Sequence, residues 1–140
     1  MTASSDRLLR RTLWANAAFS LGSGVVLVAC AEPFARWAAA APVSLAGLDL
    51  AIVFELLGVG VVAFGGLCAW IASRAVLPAS WARLVFAADV LWVAGSVLAV
   101  ASASWTPLGL AGIGVFALVV ADLAVLEYLG LRRLGAASRA

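Results

Sequence analysis

The sequence contains no histidine and no lysine, and it has one tyrosine and two cysteines among 140 residues. The missing histidine removes the commonest metal ligand and the usual general base at neutral pH. The serines have neither a histidine nor a lysine to activate them for acyl transfer, and the sequence has no Cys-x-x-Cys pair and no phosphate-binding glycine loop. We therefore predict that the protein is not an enzyme and that it has no catalytic residues, no metal and no cofactor.

Charged residues are also scarce, at 11% of the chain against 66% hydrophobic residues, and the mean hydropathy is +1.14. Soluble domains carry roughly 25% charged residues, so a soluble domain of this composition would have too little polar surface. The net charge of +2 gives no reason to expect a nucleic-acid partner, because the charges lie at the ends of apolar segments. The composition predicts one integral membrane domain, residues 1–140, in contact with the lipid bilayer.

Four apolar stretches predict four transmembrane helices, at about residues 12–31, 48–73, 84–104 and 108–129. Each is long enough, at about 1.5 Å per residue, to cross a hydrocarbon core of roughly 30 Å. Thr106-Pro107 separates the last two, because the residue before a proline leaves helical geometry and proline fits a first helical turn. The expected fold class is an all-α transmembrane four-helix bundle built from two helical hairpins.

The arginines predict the orientation of this bundle. All nine cationic side chains are arginines, and only Arg36 falls in the loops on the opposite side from the others. By the positive-inside rule this asymmetry predicts that both termini are cytoplasmic. The bias toward arginine and alanine suggests a GC-rich genome, and we expect a multi-pass protein of a bacterial inner membrane. Residues 33–37 are expected to lie in the outer headgroup region.

The first span has an alternative interpretation. The residues Leu27-Val28-Ala29-Cys30 resemble a lipoprotein signal with its lipobox, and cleavage before an acylated Cys30 would remove the span. The apolar run is longer than a typical signal core, which favours a retained transmembrane helix.

A weak internal repeat also favours retention. Residues 10–23 align without a gap on residues 83–96, and this alignment matches Asn16 with Asp89. A parallel repeat of two hairpins would have a pseudo-two-fold axis along the membrane normal. Chance matching in a chain rich in alanine, glycine and valine is the alternative.

Polar side chains inside the spans are the candidate functional residues, because a carboxylate in hydrocarbon costs at least a few kcal/mol without a partner or water. Asn16, Asp89 and Asp122 fall at similar depth on three helices. We expect both aspartates to face the interior, with Asn16 or an arginine within hydrogen-bonding reach of at least one. Glu127 lies about a turn from the predicted end of the fourth span, and we expect it to reach the interface.

Two interpretations of this inner group remain open. It forms either a structural network that locks the bundle, or a polar cavity in which Asp89 and Asp122 bind a cation or a proton. In the second case Trp92, one turn from Asp89, would line the cavity or stack on a cationic ligand. Glu55 lies apart, in the outer leaflet, with no basic residue at its depth, so its candidate partners are serine and backbone groups, a second copy of the chain or a ligand.

The predicted function is a non-catalytic membrane component, either an accessory subunit or a scaffold, in a homodimer or a larger membrane complex. The alternative is a small proton- or cation-coupled transporter, or a ligand-binding membrane protein, that uses intramembrane carboxylates. The candidate residues for ligand or proton binding are Asn16, Glu55, Asp89, Trp92 and Asp122.

Overall fold

A computed structural model describes residues 6–45, 47–102 and 104–137. The elements in chain order are helix α1 (Arg7–Ala29), helix α2 (Ala31–Ala38), strands β1 (Ser44–Leu45) and β2 (Leu48–Asp49), and helices α3 (Leu50–Ser73), α4 (Ala79–Ser102) and α5 (Pro107–Ala137). All of these helices except α2 are long and apolar enough to cross a membrane. The prediction of an all-helical protein with four helices that are long and apolar enough to cross a membrane is therefore confirmed. Arg139, which the charge asymmetry includes, lies outside the described residues.

Three of the helices are longer than the predicted spans, and α1 begins at Arg7, before the predicted start of the first span. Helix α4 begins at Ala79 and α5 continues to Ala137, because arginines such as Arg83 and Arg132 do not interrupt a helix. Arginine is a good helix former, and its long side chain can extend to water from a helix in the membrane. As a consequence, Glu127 lies well inside α5 and not near its end.

The start of α5 follows the sequence prediction. The backbone N–H of Gly109 donates to Thr106 Oγ1 at 3.0 Å, which is N-cap geometry, and Pro107 occupies the first helical position. The backbone N–H of Thr106 donates to the Ala38 carbonyl at 2.8 Å. This bond ties the start of α5 to the end of α2, the short helix that contains the predicted headgroup segment.

Helices α1 and α3 pack closely through glycine. A Cβ atom added to Gly58 would lie 2.9 Å from the Gly24 carbonyl oxygen and 2.6 Å from Val28 Cγ2. Helices in lipid associate through such close approach of small residues, because lipid supplies no hydrophobic drive between them. Helix α1 packs mainly on α3 and also on α5, α4 packs mainly on α5, and α3 and α4 contact each other little.

Arg10 closes one end of the bundle. Its Nη1 donates to the Ala72 carbonyl at 2.5 Å and to the Arg74 carbonyl at 2.7 Å, and its Nη2 lies 3.1 Å from Asp6 Oδ2. The start of α1 is thereby joined to the end of α3. The apolar core lies next to this end and consists of Leu9, Leu13, Ala17, Cys68, Ile71, Ala72, Leu77, Ala82, Val85 and Leu134.

Candidate functional site

A polar cluster lies inside the bundle and joins three helices through Asn16. The Asn16 amide donates from Nδ2 to Asp89 Oδ2 at 2.7 Å and to Glu127 Oε1 at 3.0 Å. Its Oδ1 accepts a hydrogen bond from Ser20 Oγ at 3.0 Å. The exposed fractions of Asn16, Asp89 and Glu127 are 1%, 3% and 0%, so we define these three residues and Ser20 as the buried polar cluster.

The bonding capacity of Asn16 explains why it occupies the centre. A side-chain amide offers two N–H donors and one carbonyl acceptor, and the cluster uses both ends of the group. Helix α1 supplies the amide, while α4 supplies Asp89 and α5 supplies Glu127. One residue of α1 therefore connects to two helices that are far away in sequence.

No arginine in the described part of the chain forms an ion pair with the two carboxyl groups. The ion pairs of the described residues are Arg10–Asp6 and Arg36–Glu32, and both lie outside the buried polar cluster. Asp89 Oδ2 and Glu127 Oε1 accept from the same nitrogen atom, Asn16 Nδ2, so the two carboxyl groups lie close together. Two ionised carboxylates at this separation would repel strongly in a medium of low dielectric constant, so the arrangement favours a pair that shares one proton and carries one negative charge.

The second oxygen of Glu127 agrees with a shared proton. Glu127 Oε2 is buried and accepts no hydrogen bond from any group in the described part of the chain. A buried polar atom without a partner is rare and calls for an explanation. An ionised oxygen without a donor is costly when it is buried, so this position favours a proton on the carboxyl pair.

A cavity of about 190 Å³ lies beside the cluster, and Asp89 forms part of its wall. The rest of the wall is mostly apolar and aromatic. Most of the lining side chains are half-buried, so the cavity opens to the surface of the bundle. The lining residues are Phe19, Ser20, Ser23, Val61, Phe64, Ala88, Asp89, Trp92, Phe116 and Val120.

Trp92 contributes an unused hydrogen-bond donor to this region. Its Nε1 is buried and has no acceptor among the described residues. Phe19 and Phe116 lie on the same cavity with ring centroids 5.4 Å apart. The cavity therefore combines one carboxyl group, one unpaired N–H group nearby and several aromatic rings.

Among the predicted site residues, Asn16, Asp89 and Trp92 come together, while Asp122 does not join them. The side chain of Asp122 is exposed on the outer face of α5, so the expectation that it faces the interior was wrong. Glu127, which was expected at the interface, occupies the interior position next to Asn16 that was predicted for Asp122. Five residues along an α-helix turn the side chain by roughly 140°, so only one of these two carboxyl groups can face Asn16.

Arg10 and Glu55 do not contact the buried polar cluster. An arginine was expected as an alternative to Asn16 as a partner of the inner carboxyl groups, but Arg10 donates to carbonyl groups at the end of α3. Glu55 is exposed on α3 and lies away from both the cluster and the cavity. The predicted residues thus divide into one internal site and two separate carboxyl groups, Glu55 and Asp122, on the outside.

Sequence reasoning missed Glu127 as a member of the site, as well as Ser20 and the phenylalanines of the cavity. The sequence of α5 gives no clear signal for Glu127, because apolar residues surround the helix, but the structure shows why this residue lies inside. It falls on the same helical row as three buried residues, Val120, Ala124 and Leu134, and the partly buried Leu131, with spacings of three and four. Asp122 lies off this row.

The buried cluster offers carboxylate oxygens, but the described residues contain no group of three histidine, cysteine, aspartate or glutamate side chains that could hold a metal ion. The fold and the site together define a small, all-helical, multi-pass protein with a polar cluster inside an apolar bundle. No family model matches the chain, and comparisons with curated proteins and with solved structures found no match.

Proposed function

We propose that this protein is a non-catalytic component of a membrane complex, acting as an accessory subunit or scaffold. The observation that carries the proposal is the position of Asp122, near the middle of α5 with its side chain exposed. An aspartate at the centre of a membrane helix costs about 2.5–3.5 kcal/mol when it must face lipid. A partner helix that presents a polar group to Asp122 would remove this cost.

The surroundings of Asp122 fit a contact between helices in a membrane. Leu118 and Val125 lie one turn away on the same face of α5, with exposed fractions of 69% and 57%. Glu55 provides a second exposed carboxyl group, on α3. The buried polar cluster supports a scaffold role because it fixes α1, α4 and α5 relative to each other, which keeps the outer faces in place for a partner.

Site-specific photocrosslinking in native membranes tests this proposal. A photoreactive residue at Leu118 should give one defined adduct, and the change Asp122→Leu should abolish it. Val97 is exposed on α4 and serves as the control position, where no Asp122-dependent adduct is expected. The mass of the adduct distinguishes a second copy of the chain from a different subunit. An adduct that persists in Asp122→Leu, or no adduct at Leu118, contradicts the proposal.

The proposed location is a bacterial inner membrane with both termini in the cytoplasm, and the arginine asymmetry supports this orientation of the termini. Reporter fusions after Arg74 and at the C-terminus should have cytoplasmic activity, while a fusion near Ala40 should have periplasmic activity. A periplasmic C-terminus would contradict this orientation.

Mass spectrometry of the purified protein should find the residues before Cys30, whereas a chain that begins at an acylated Cys30 would mean that the first span is a signal.

A second candidate function is a small ligand-binding membrane protein or a proton- or cation-coupled transporter. The observation in its favour is that Asp89 belongs both to the carboxyl pair and to the wall of the cavity. A ligand in the cavity would therefore contact a group that exchanges a proton. In reconstituted vesicles, transport of a cationic substrate should move protons in the opposite direction, and Asp89→Asn should abolish the coupling.

A further inference from the structure

We propose that the cavity beside Asp89 is a binding site for a monovalent organic cation with an apolar body about the size of one aromatic ring. This inference rests on the second candidate function and names the class of ligand for it. It does not depend on the partner contact at Asp122, because Asp122 is exposed on the outside of α5 and does not line the cavity.

The volume of the cavity sets the size of the ligand. An apolar cavity of about 150 Å³ in a protein core holds a benzene molecule, and the present cavity has about 190 Å³. One ring with a small substituent therefore fills it, while a ligand with several rings would not fit without movement of the helices.

The charge of the site selects a cation. Asp89 and Glu127 carry one negative charge when they share a proton, and the described residues place no arginine against them. The other groups that face the pair are the neutral amide of Asn16 and the thiol of Cys68. A single positive charge at the Asp89 wall would therefore be balanced by one charge of opposite sign.

The aromatic rings favour an organic cation over a metal ion. Rings of phenylalanine and tryptophan attract cations through their faces, and clusters of such rings recognise quaternary ammonium groups. The cavity has four of them, Phe19, Phe64, Trp92 and Phe116.

The fold provides a route to the cavity from the side of the bundle. Its lining residues on α3 and α4, such as Phe64 and Ala88, are half-buried, and these two helices make few contacts with each other. A ligand that is both cationic and apolar concentrates at a membrane, where this side of the bundle is accessible.

The test uses benzyltrimethylammonium and its neutral carbon isostere, neopentylbenzene, with the full chain in lipid nanodiscs. Isothermal titration calorimetry should show saturable binding of the cation at one site per chain. The isostere has the same shape without the charge, and it should bind about tenfold more weakly or worse. The same weakening is expected for the cation with Asp89→Asn, while Asp122→Asn and Glu55→Gln should bind it like the wild type.

A second variant keeps the carboxyl pair and fills the space. Ala88→Leu adds bulk at the cavity wall, and it should weaken binding of both compounds by about tenfold or more. Thermal unfolding shows whether each variant is folded. If Asp89→Asn is unfolded, the binding result for Ala88→Leu tests the proposal in its place. The proposal is overturned if the wild type shows no saturable binding, if the isostere binds as tightly as the cation, or if Ala88→Leu binds normally.

These results separate the binding site from the function on which it rests. Saturable binding without proton-coupled transport in vesicles would support the binding site and contradict the transport function. Transport that continues in Ala88→Leu with unchanged affinity would support the second candidate function. It would contradict the assignment of the binding site to this cavity.

Discussion

Asn16 Nδ2 lies 2.7 Å from Asp89 Oδ2, although 73 residues separate the two positions in the chain. The same two residues are matched in the internal alignment of residues 10–23 with residues 83–96. Equivalent residues next to a two-fold axis contact each other, so this hydrogen bond is what a parallel repeat would produce at its axis. Phe19 and Trp92, which the alignment also matches, both line the cavity. The repeat itself stays a prediction.

Removal of the central amide should destabilise the bundle. Asn16→Leu leaves two buried carboxyl groups without their shared donor, and we expect a loss of about 1–3 kcal/mol in the free energy of unfolding. Thermal unfolding in detergent measures the effect. Ser23→Ala is the control on α1, since Ser23 Oγ bonds only to the carbonyl of Ser20 in its own helix, and it should change stability little.

A triple variant separates structure from function at this cluster. Replacement of Asn16, Asp89 and Glu127 together by leucine removes the amide and both carboxyl groups and leaves only the Ser20 hydroxyl of the cluster. Apolar replacement of a buried polar network is often neutral or stabilising. We expect the triple variant to unfold at a higher temperature than Asn16→Leu. If it is equally unstable, the polar cluster does more than satisfy its own hydrogen bonds.

The shared proton should be visible by infrared spectroscopy. In protein with Glu55→Gln and Asp122→Asn, the carbonyl stretching band of a protonated carboxyl group should persist, because Asp89 and Glu127 lie together without a cation. Addition of Glu127→Gln and Asp89→Asn to this background should remove the band. No band in the starting background would mean that both carboxyl groups of the pair are ionised.

The glycine contact between α1 and α3 should tolerate no side chain. Gly58→Ala places a Cβ 2.9 Å from the Gly24 carbonyl oxygen, so the helices must separate, at a cost of about 1–3 kcal/mol. Gly60→Ala is the matched control two residues along, because a Cβ there would meet nothing within 4 Å. Equal melting temperatures for the two variants would contradict the packing of α1 on α3.

Arg10 should hold the connection between α3 and α4. Arg10→Gln removes charge-assisted hydrogen bonds to the carbonyls of Ala72 and Arg74, and we expect faster amide hydrogen exchange in residues 74–78 with a loss of about 1 kcal/mol, since the site is partly exposed. Arg11→Gln is the control, because Arg11 is exposed on the same helix. Unchanged exchange in Arg10→Gln would rule out this role.

Several parts of the fold were predictable because they depend on local sequence. The length and apolarity of the four segments are sufficient for four spanning helices, and Thr106-Pro107 determines where the fourth begins. The depth of a residue in the membrane follows from its position along its span in the same way. Because Asn16, Asp89 and Asp122 lie at similar depth, at least one aspartate was expected to have Asn16 or an arginine within reach, and Asn16 donates to Asp89.

Rotation about the helix axis was not predictable in this way. A helix that is apolar on all sides gives no periodic signal of which face is buried, and α5 is such a helix. The sequence alone determined that the protein is helical, that it suits a membrane and that it carries carboxyl groups within its spans. Only the tertiary structure decided that Glu127 faces Asn16 while Asp122 faces outward, because packing of α5 against α1 and α4 sets that rotation.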